Sequence, residues 1–144
     1  MLKVDFYDLN EIDDSMLEFV VIEAIYDNKW LFVQHKERQT WEIPGGHIEK
    51  EENPDQAAYR ELYEETGAED FNIIPVCIYS VENNKQKSYG KLYFSLIKKL
   101  GELPDFEIKK VSTFDYMPKD ITYPQIQPYL HNKVIETINN KYKH

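Results

Sequence analysis

The chain has 144 residues, 42% of them hydrophobic and 14% aromatic, with a formal charge of −9. This length suits one domain over residues 1–144. The acidic balance excludes broad electrostatic binding to a nucleic-acid polymer, which needs clustered Lys and Arg. No apolar run reaches the width of a bilayer, and Met1 to Asn10 lacks the basic start and apolar centre of a secretion signal, so a soluble cytoplasmic protein without membrane partners is expected.

In chain order, Leu17 to Ile22 is rich in strand formers, and Asp27-Asn28-Lys29 separates it from a second run, Trp30 to Val33; together they read as a hairpin. Charged residues fill His35 to Gln39, and Trp41-Glu42-Ile43 leads to Pro44-Gly45-Gly46, where a loop is expected to begin. Two glycines there permit unusual backbone angles and close approach by a ligand. The next segment has the marks of a helix start: Asn53 as cap, Pro54 at the first position, Asp55 at the positive end of the dipole and Gln56 closing a capping box. Gly67 is its natural stop.

Phe71 to Val81 and Tyr89 to Ile97 read as strands on either side of a turn at Glu82-Asn83-Asn84-Lys85. Cys77, the only cysteine, excludes an internal disulfide and reads as a small buried side chain. Gly101 to Asp105 reads as a loop and Val111 to Tyr116 as a short strand. Ile126, Leu130, Val134 and Ile138 recur every four residues, which predicts an amphipathic helix with a core-facing stripe and with Pro124 and Pro128 near its start.

The chemistry concentrates in the predicted first helix. Glu61 precedes Glu64 by three residues and Glu65 by four, so the three carboxylates project toward one region and repel one another. Arg60 reaches Glu64 at a four-residue spacing and offsets part of that repulsion. On its own, Glu-x-x-Glu-Glu reads as a solvated acidic face. A glycine loop ahead of it and Glu52 within that loop favour a site, because a hard divalent cation seeks several oxygen ligands while leaving room for water and phosphate oxygens.

The segment from Gly46 to Ala68 resembles the complete Nudix box, G-x5-E-x7-R-E-U-x-E-E-x-G-U with U a bulky apolar residue. Gly46, Glu52, Arg60, Glu61, Leu62, Glu64, Glu65 and Gly67 match in register; Ala68 is smaller than the usual aliphatic residue. The resemblance implies an α/β fold, the Nudix α/β/α sandwich with a mixed β-sheet and a loop-helix-loop motif, that binds Mg²⁺ or Mn²⁺ and hydrolyses a pyrophosphate bond in a nucleotide-like substrate. Carried over by position, Glu61, Glu65 and the Gly46 carbonyl are metal ligands. Glu64 is a base or metal-bridging carboxylate, Arg60 orients a carboxylate, and Glu52 supports the loop or a second metal. The expected reaction releases a nucleoside monophosphate and pyrophosphate from a nucleoside triphosphate, such as an oxidised purine nucleotide. ADP-ribose or a nucleotide sugar is the alternative substrate, and a non-catalytic nucleotide-sensing module or a fold-related isomerase the alternative function. A homodimer is compatible with this reading.

Outside the box, Glu107 is a candidate further acidic ligand, although an exposed loop acid explains it as well. Trp41 or Tyr89 are candidates for stacking on a base, with core packing the alternative. His35, Lys36 and Arg38 are candidates for meeting terminal phosphates, with a solvated turn the alternative.

Overall fold

The computed structural model describes residues 2–141. In chain order the elements are β1 (Leu2–Tyr7), β2 (Leu17–Tyr26), β3 (Lys29–His35), β4 (Gly45–His47), α1 (Pro54–Thr66), β5 (Ala68–Phe71), β6 (Ile74–Asn83), β7 (Gln86–Leu100), β8 (Ile108–Phe114) and α2 (Gln127–Lys141). All eight strands join one sheet of order β1-β6-β7-β2-β3-β8, with β4 also on β2 and β5 also on β7. The β2·β7 pair is parallel and the other pairs are antiparallel, which makes the sheet mixed.

The predicted hairpin is β2–β3, and it turns at Asp27 and Asn28 with φ of 55° and 63°. Asp and Asn tolerate that left-handed geometry, and its twist matches the strands it joins. A second turn of the same hand, Asn84 and Lys85, joins β6 to β7. The predicted strand from Phe71 is two strands: Asn72 accepts the Leu96 N–H on its side chain at 2.8 Å, and the chain restarts as β6. The sequence reading assigned no strand before Leu17, yet β1 pairs along its length with β6.

Alternation along the central strands divides the core. Val20, Ile22, Ala24, Leu31, Val33 and Tyr93 face α1, meeting Ala57, Ala58 and Leu62. Val21, Phe32, Leu92 and Phe94 face α2, meeting Leu130 and Val134. One helix thus covers each face of the sheet, the expected α/β/α arrangement, with Cys77 buried on the α2 side. Beneath α2, the fully buried Glu23 of β2 contacts His131 Nδ1, a polar pair inside a mainly apolar layer. Among the described residues, no helix is long and apolar enough to cross a membrane.

Candidate active site

The helix carrying the acids starts as its sequence prescribes. Asn53 accepts the Gln56 N–H and Gln56 accepts the Asn53 N–H, a closed capping box with Pro54 just inside. Gly67 ends the helix at φ 78° and donates its N–H to Tyr63 at 2.8 Å. Burying Ala57, Ala58 and Leu62 against the sheet fixes the rotation of α1, and the same face carries Glu65 inward.

Opposite that face lies the glycine segment, which is strand β4 rather than the start of a loop. Its two glycines serve close approach and neither adopts a positive φ. A Cβ on Gly45 would stand 2.4 Å from the Val20 carbonyl oxygen, so only glycine lets β4 lie against β2. A Cβ on Gly46 would stand 1.4 Å from Glu61 Oε2, so the Glu61 carboxylate occupies the space a side chain would fill. Glu65 Oε1 accepts the Gly45 N–H at 2.9 Å. Two of the three helix acids therefore dock directly on the glycine strand.

Arg60 ties the intervening loop to the helix. Its Nε and Nη2 donate to both Glu52 oxygens at 2.6 and 2.9 Å, Nη2 donates to the His47 carbonyl at 3.0 Å, and Nη1 stands 3.3 Å from Glu64 and 3.4 Å from Glu61. Glu52 also accepts the Glu49 N–H, so both its oxygens are engaged in holding the loop. The charge around Arg60 keeps it protonated, and the Arg60 hydrogen bonds hold Glu52 below the usual carboxylate range.

Glu61 and Glu65 are in the opposite condition. Burial above all, with the like charge of neighbouring acids, pushes Glu61 up to about 7 and Glu65 up to about 9. Carboxylates brought together inside a partly dry cleft and short of cations hold protons tightly. His35, the last residue of β3, stands among them: its Nε2 is 2.8 Å from Glu42 and 3.8 Å from Glu65, and its Nδ1 is 3.8 Å from Glu107.

These groups form one wall of a cleft of about 700 Å³, a size suited to a nucleotide-sized ligand. The rest of the lining is largely apolar: Phe19, Val21, Tyr79 and Val81 from the sheet, with Ile126 just before α2 and Leu130 within it. Gln127 is buried there and accepts the Ile43 N–H at 2.7 Å. At the rim, the Arg38 guanidinium lies 5.4 Å from the centre of the Tyr123 ring.

A family model described as the NUDIX domain matches residues 16–129. The chain belongs to the Nudix family. Its sequence is 34% identical over 98 residues to a Bacillus subtilis protein named as an 8-oxo-dGTP diphosphatase, a match covering 67% of this chain and 61% of that relative. It is 53% identical over 36 residues to the RNA pyrophosphohydrolase of Brucella ovis, covering 25% of this chain and 20% of the relative. The chain thus spans about three fifths of the first relative and a fifth of the second. Among solved structures, a Bacillus subtilis pyrophosphohydrolase superposes with a TM-score of 0.77 at 26% identity, covering 94% of this chain and 90% of that one. A Nudix hydrolase from Nitrosomonas europaea shares the fold, with a TM-score of 0.68 at 20% identity and 83% and 89% coverage.

The geometry sorts the candidates of the Nudix chain read from sequence. Gly46, Arg60, Glu61, Glu64, Glu65 and Glu107 converge on the cleft, as do His35 and Arg38. Lys36 points away, bonded to Asp105 at 2.6 Å. Trp41 packs edge-on against Phe114 at 5.1 Å in the layer beneath α2, and Tyr89 meets Tyr7 at 5.9 Å; neither lines the cleft. The aromatic rings that do line it include Phe19, Tyr79 and Tyr123, which sequence spacing did not single out. Tyr79 lies against Gly90, where a Cβ would come within 2.5 Å of its ring. The one available signal was that glycine, inside a strand otherwise rich in aromatic and β-branched residues.

Proposed function

We propose that this Nudix protein hydrolyses a pyrophosphate bond in a nucleotide, with a nucleoside triphosphate as substrate and a nucleoside monophosphate and pyrophosphate as products. The observation that carries the reading is the convergence of Glu61, Glu64, Glu65 and Glu107 with the glycine strand on one wall of a nucleotide-sized cleft. The relatives' names point to phosphoanhydride chemistry on a free nucleotide and on RNA. The net charge of −9 favours the free nucleotide, because a polymer backbone would meet a repelling surface.

The donor set fits a divalent cation such as Mg²⁺ or Mn²⁺, as Nudix hydrolases generally use. The Glu61 carboxylate sits in the cradle over Gly46, and Glu61 and Glu65 hold protons that a cation would displace. Glu61, Glu65 and the Gly46 carbonyl would hold it, with Glu107 near Glu65. A bound cation supplies charge to the phosphate oxygens and lowers the proton affinity of nearby water. Glu64 is the least encumbered of the helix acids, with 28% of its side chain exposed, and it takes the proton from the attacking water. As that water adds to phosphorus, the bond to the departing phosphate oxygen breaks. Arg60 is a positioning residue that fixes the Glu64 carboxylate from the helix side while anchoring the loop through Glu52. The apolar wall holds the nucleoside and excludes water from that side.

The test is a panel of nucleoside triphosphates, ADP-ribose, nucleotide sugars and a 5′-triphosphorylated oligonucleotide, assayed for monophosphate and pyrophosphate release with Mg²⁺ or Mn²⁺. Turnover of free triphosphates that is lost in Glu64→Gln and Glu65→Gln supports the reading. Tight nucleotide binding with no turnover of any compound would instead identify a sensing module.

A further inference from the structure

His35 stands among the acids of the cleft without belonging to the acidic helix. It stands at the end of β3, where a register shift between Gln34 and His35 turns the strand against β8. The Lys36 N–H donates to the Glu107 carbonyl at 2.9 Å, which fixes the two backbones side by side. One donor atom from each of His35, Glu65 and Glu107 lies within 4.8 Å of the others. Two ligands held at roughly 2.0–2.3 Å from one ion stand about 3–4.5 Å apart, and the Nδ1 of His35 is 3.8 Å from Glu107.

The fourth group is Glu42. Main-chain bonds in both directions with Val33, at 2.9 Å each, hold it beside β3, and its carboxylate takes the Nε2 side of His35 at 2.8 Å. Metal-ligating imidazoles characteristically give their second ring N–H to a carboxylate, which fixes the tautomer and leaves the other nitrogen's lone pair for the metal. A Glu42 carboxylate on Nε2, with Glu65 also 3.8 Å from that nitrogen, leaves Nδ1, the nitrogen facing Glu107, as the ligand atom.

We propose that His35 ligates the divalent cation through Nδ1, with Glu42 orienting the ring and Glu65 and Glu107 completing a mixed nitrogen and oxygen site. The inference rests on the metal-dependent reading above. Its consequence is selectivity: Mg²⁺ prefers an all-oxygen shell, whereas imidazole suits Fe²⁺, Ni²⁺ and Zn²⁺, with Mn²⁺ the weakest binder of that first-row series. The site is therefore tuned away from Mg²⁺ and toward a first-row transition ion, for which Mn²⁺ serves as the spectroscopic probe.

The experiment is electron-nuclear spin spectroscopy of Mn²⁺ on the full chain, prepared with natural and with ¹⁵N-labelled histidine, beside binding titrations with Mn²⁺ and Mg²⁺. A histidine nitrogen coupled to Mn²⁺ is expected in the wild type. It should persist in His47→Gln, which removes the other cleft imidazole, and vanish in His35→Gln. His35→Gln should weaken Mn²⁺ about tenfold or more and Mg²⁺ far less. Mn²⁺ bound with no histidine coupling in the wild-type protein, a coupling that survives His35→Gln, or equal weakening of both metals overturns the inference and leaves the hydrolase reading standing. Absence of any Mn²⁺ or Mg²⁺ binding, with or without nucleotide, overturns both.

Discussion

Adjacent glycines in β4 should respond to the same substitution in opposite ways. In Gly46→Ala the new methyl would stand 1.4 Å from Glu61 Oε2 and 2.4 Å from its Cδ, so the carboxylate must retreat by about 2 Å to restore ordinary contact distances near 3.5 Å. The obstructing atoms are the end of a flexible side chain, which leaves the backbone free to keep its place. Displacing a reacting constellation by even ~1 Å costs on the order of 100-fold in rate, so kcat/KM for the preferred nucleotide should fall by about two orders of magnitude. The melting temperature of the metal-free protein should barely move, because the acid that leaves was repelled by its neighbours. In Gly45→Ala the methyl meets the Val20 carbonyl oxygen at 2.4 Å and the Val21 Cα at 3.1 Å, both main chain. Strand β4 must then separate from β2, at an overpacking cost of about 1–3 kcal/mol. That corresponds to a loss of roughly 3–10 °C for a chain of this size. Steady-state kinetics and thermal melts of the two variants, without metal, decide the matter. Gly46→Ala activity within threefold of wild type, or equal melting losses in both variants, would refute the reasoning.

Because Glu61 and Glu65 are raised to about 7 and about 9 from 4.5, the folded protein binds protons more tightly than the unfolded chain. Their contribution to metal-free stability is complete below pH 4.5 and is lost as pH rises toward 9. Thermal melts should therefore show the metal-free protein weakening from pH 5 to 9 on their account, and the increment gained from a divalent cation growing over the same range; an increment that shrinks with pH contradicts the ligand assignment. His131→Leu strands the buried Glu23 carboxylate and should cost about 3–5 kcal/mol in chemical denaturation, while a further Glu23→Leu should recover most of it; an unrecovered double variant would show that the pair is not the cause. Gln127→Leu leaves the buried Ile43 N–H without an acceptor, a loss of about 1–3 kcal/mol, measurable by denaturant titration with a shift of midpoint and little change of slope.

What could be read in the chain is what local chemistry dictates. The Asn53 cap, the Gly67 stop and the three-and-four spacing of Glu61, Glu64 and Glu65 are fixed within one helix, so the acidic face and its boundaries follow from neighbours in sequence. The strand β1 is equally local, since Leu2, Val4 and Phe6 alternate with Lys3 and Asp5. The glycines were recognised as a place of close approach, yet nothing in Gly45-Gly46 says that one meets the Val20 backbone and the other the Glu61 carboxylate. Trp41 failed as a base-stacking candidate for the same reason, because its bridge to Ile121 and its contact with Phe114 depend on chain far downstream. His35 shows the limit most sharply. Its role follows from β3 pairing with β8, which sets it beside Glu107, and from the Val33–Glu42 bridge, which sets Glu42 on its other nitrogen. The first of these is a long-range pairing that depends on register, and a shift of one residue would turn the imidazole to the opposite face of the sheet. Residues whose chemistry depends on such register are where a single sequence falls silent, and in this site they include the one nitrogen assigned to choose the metal.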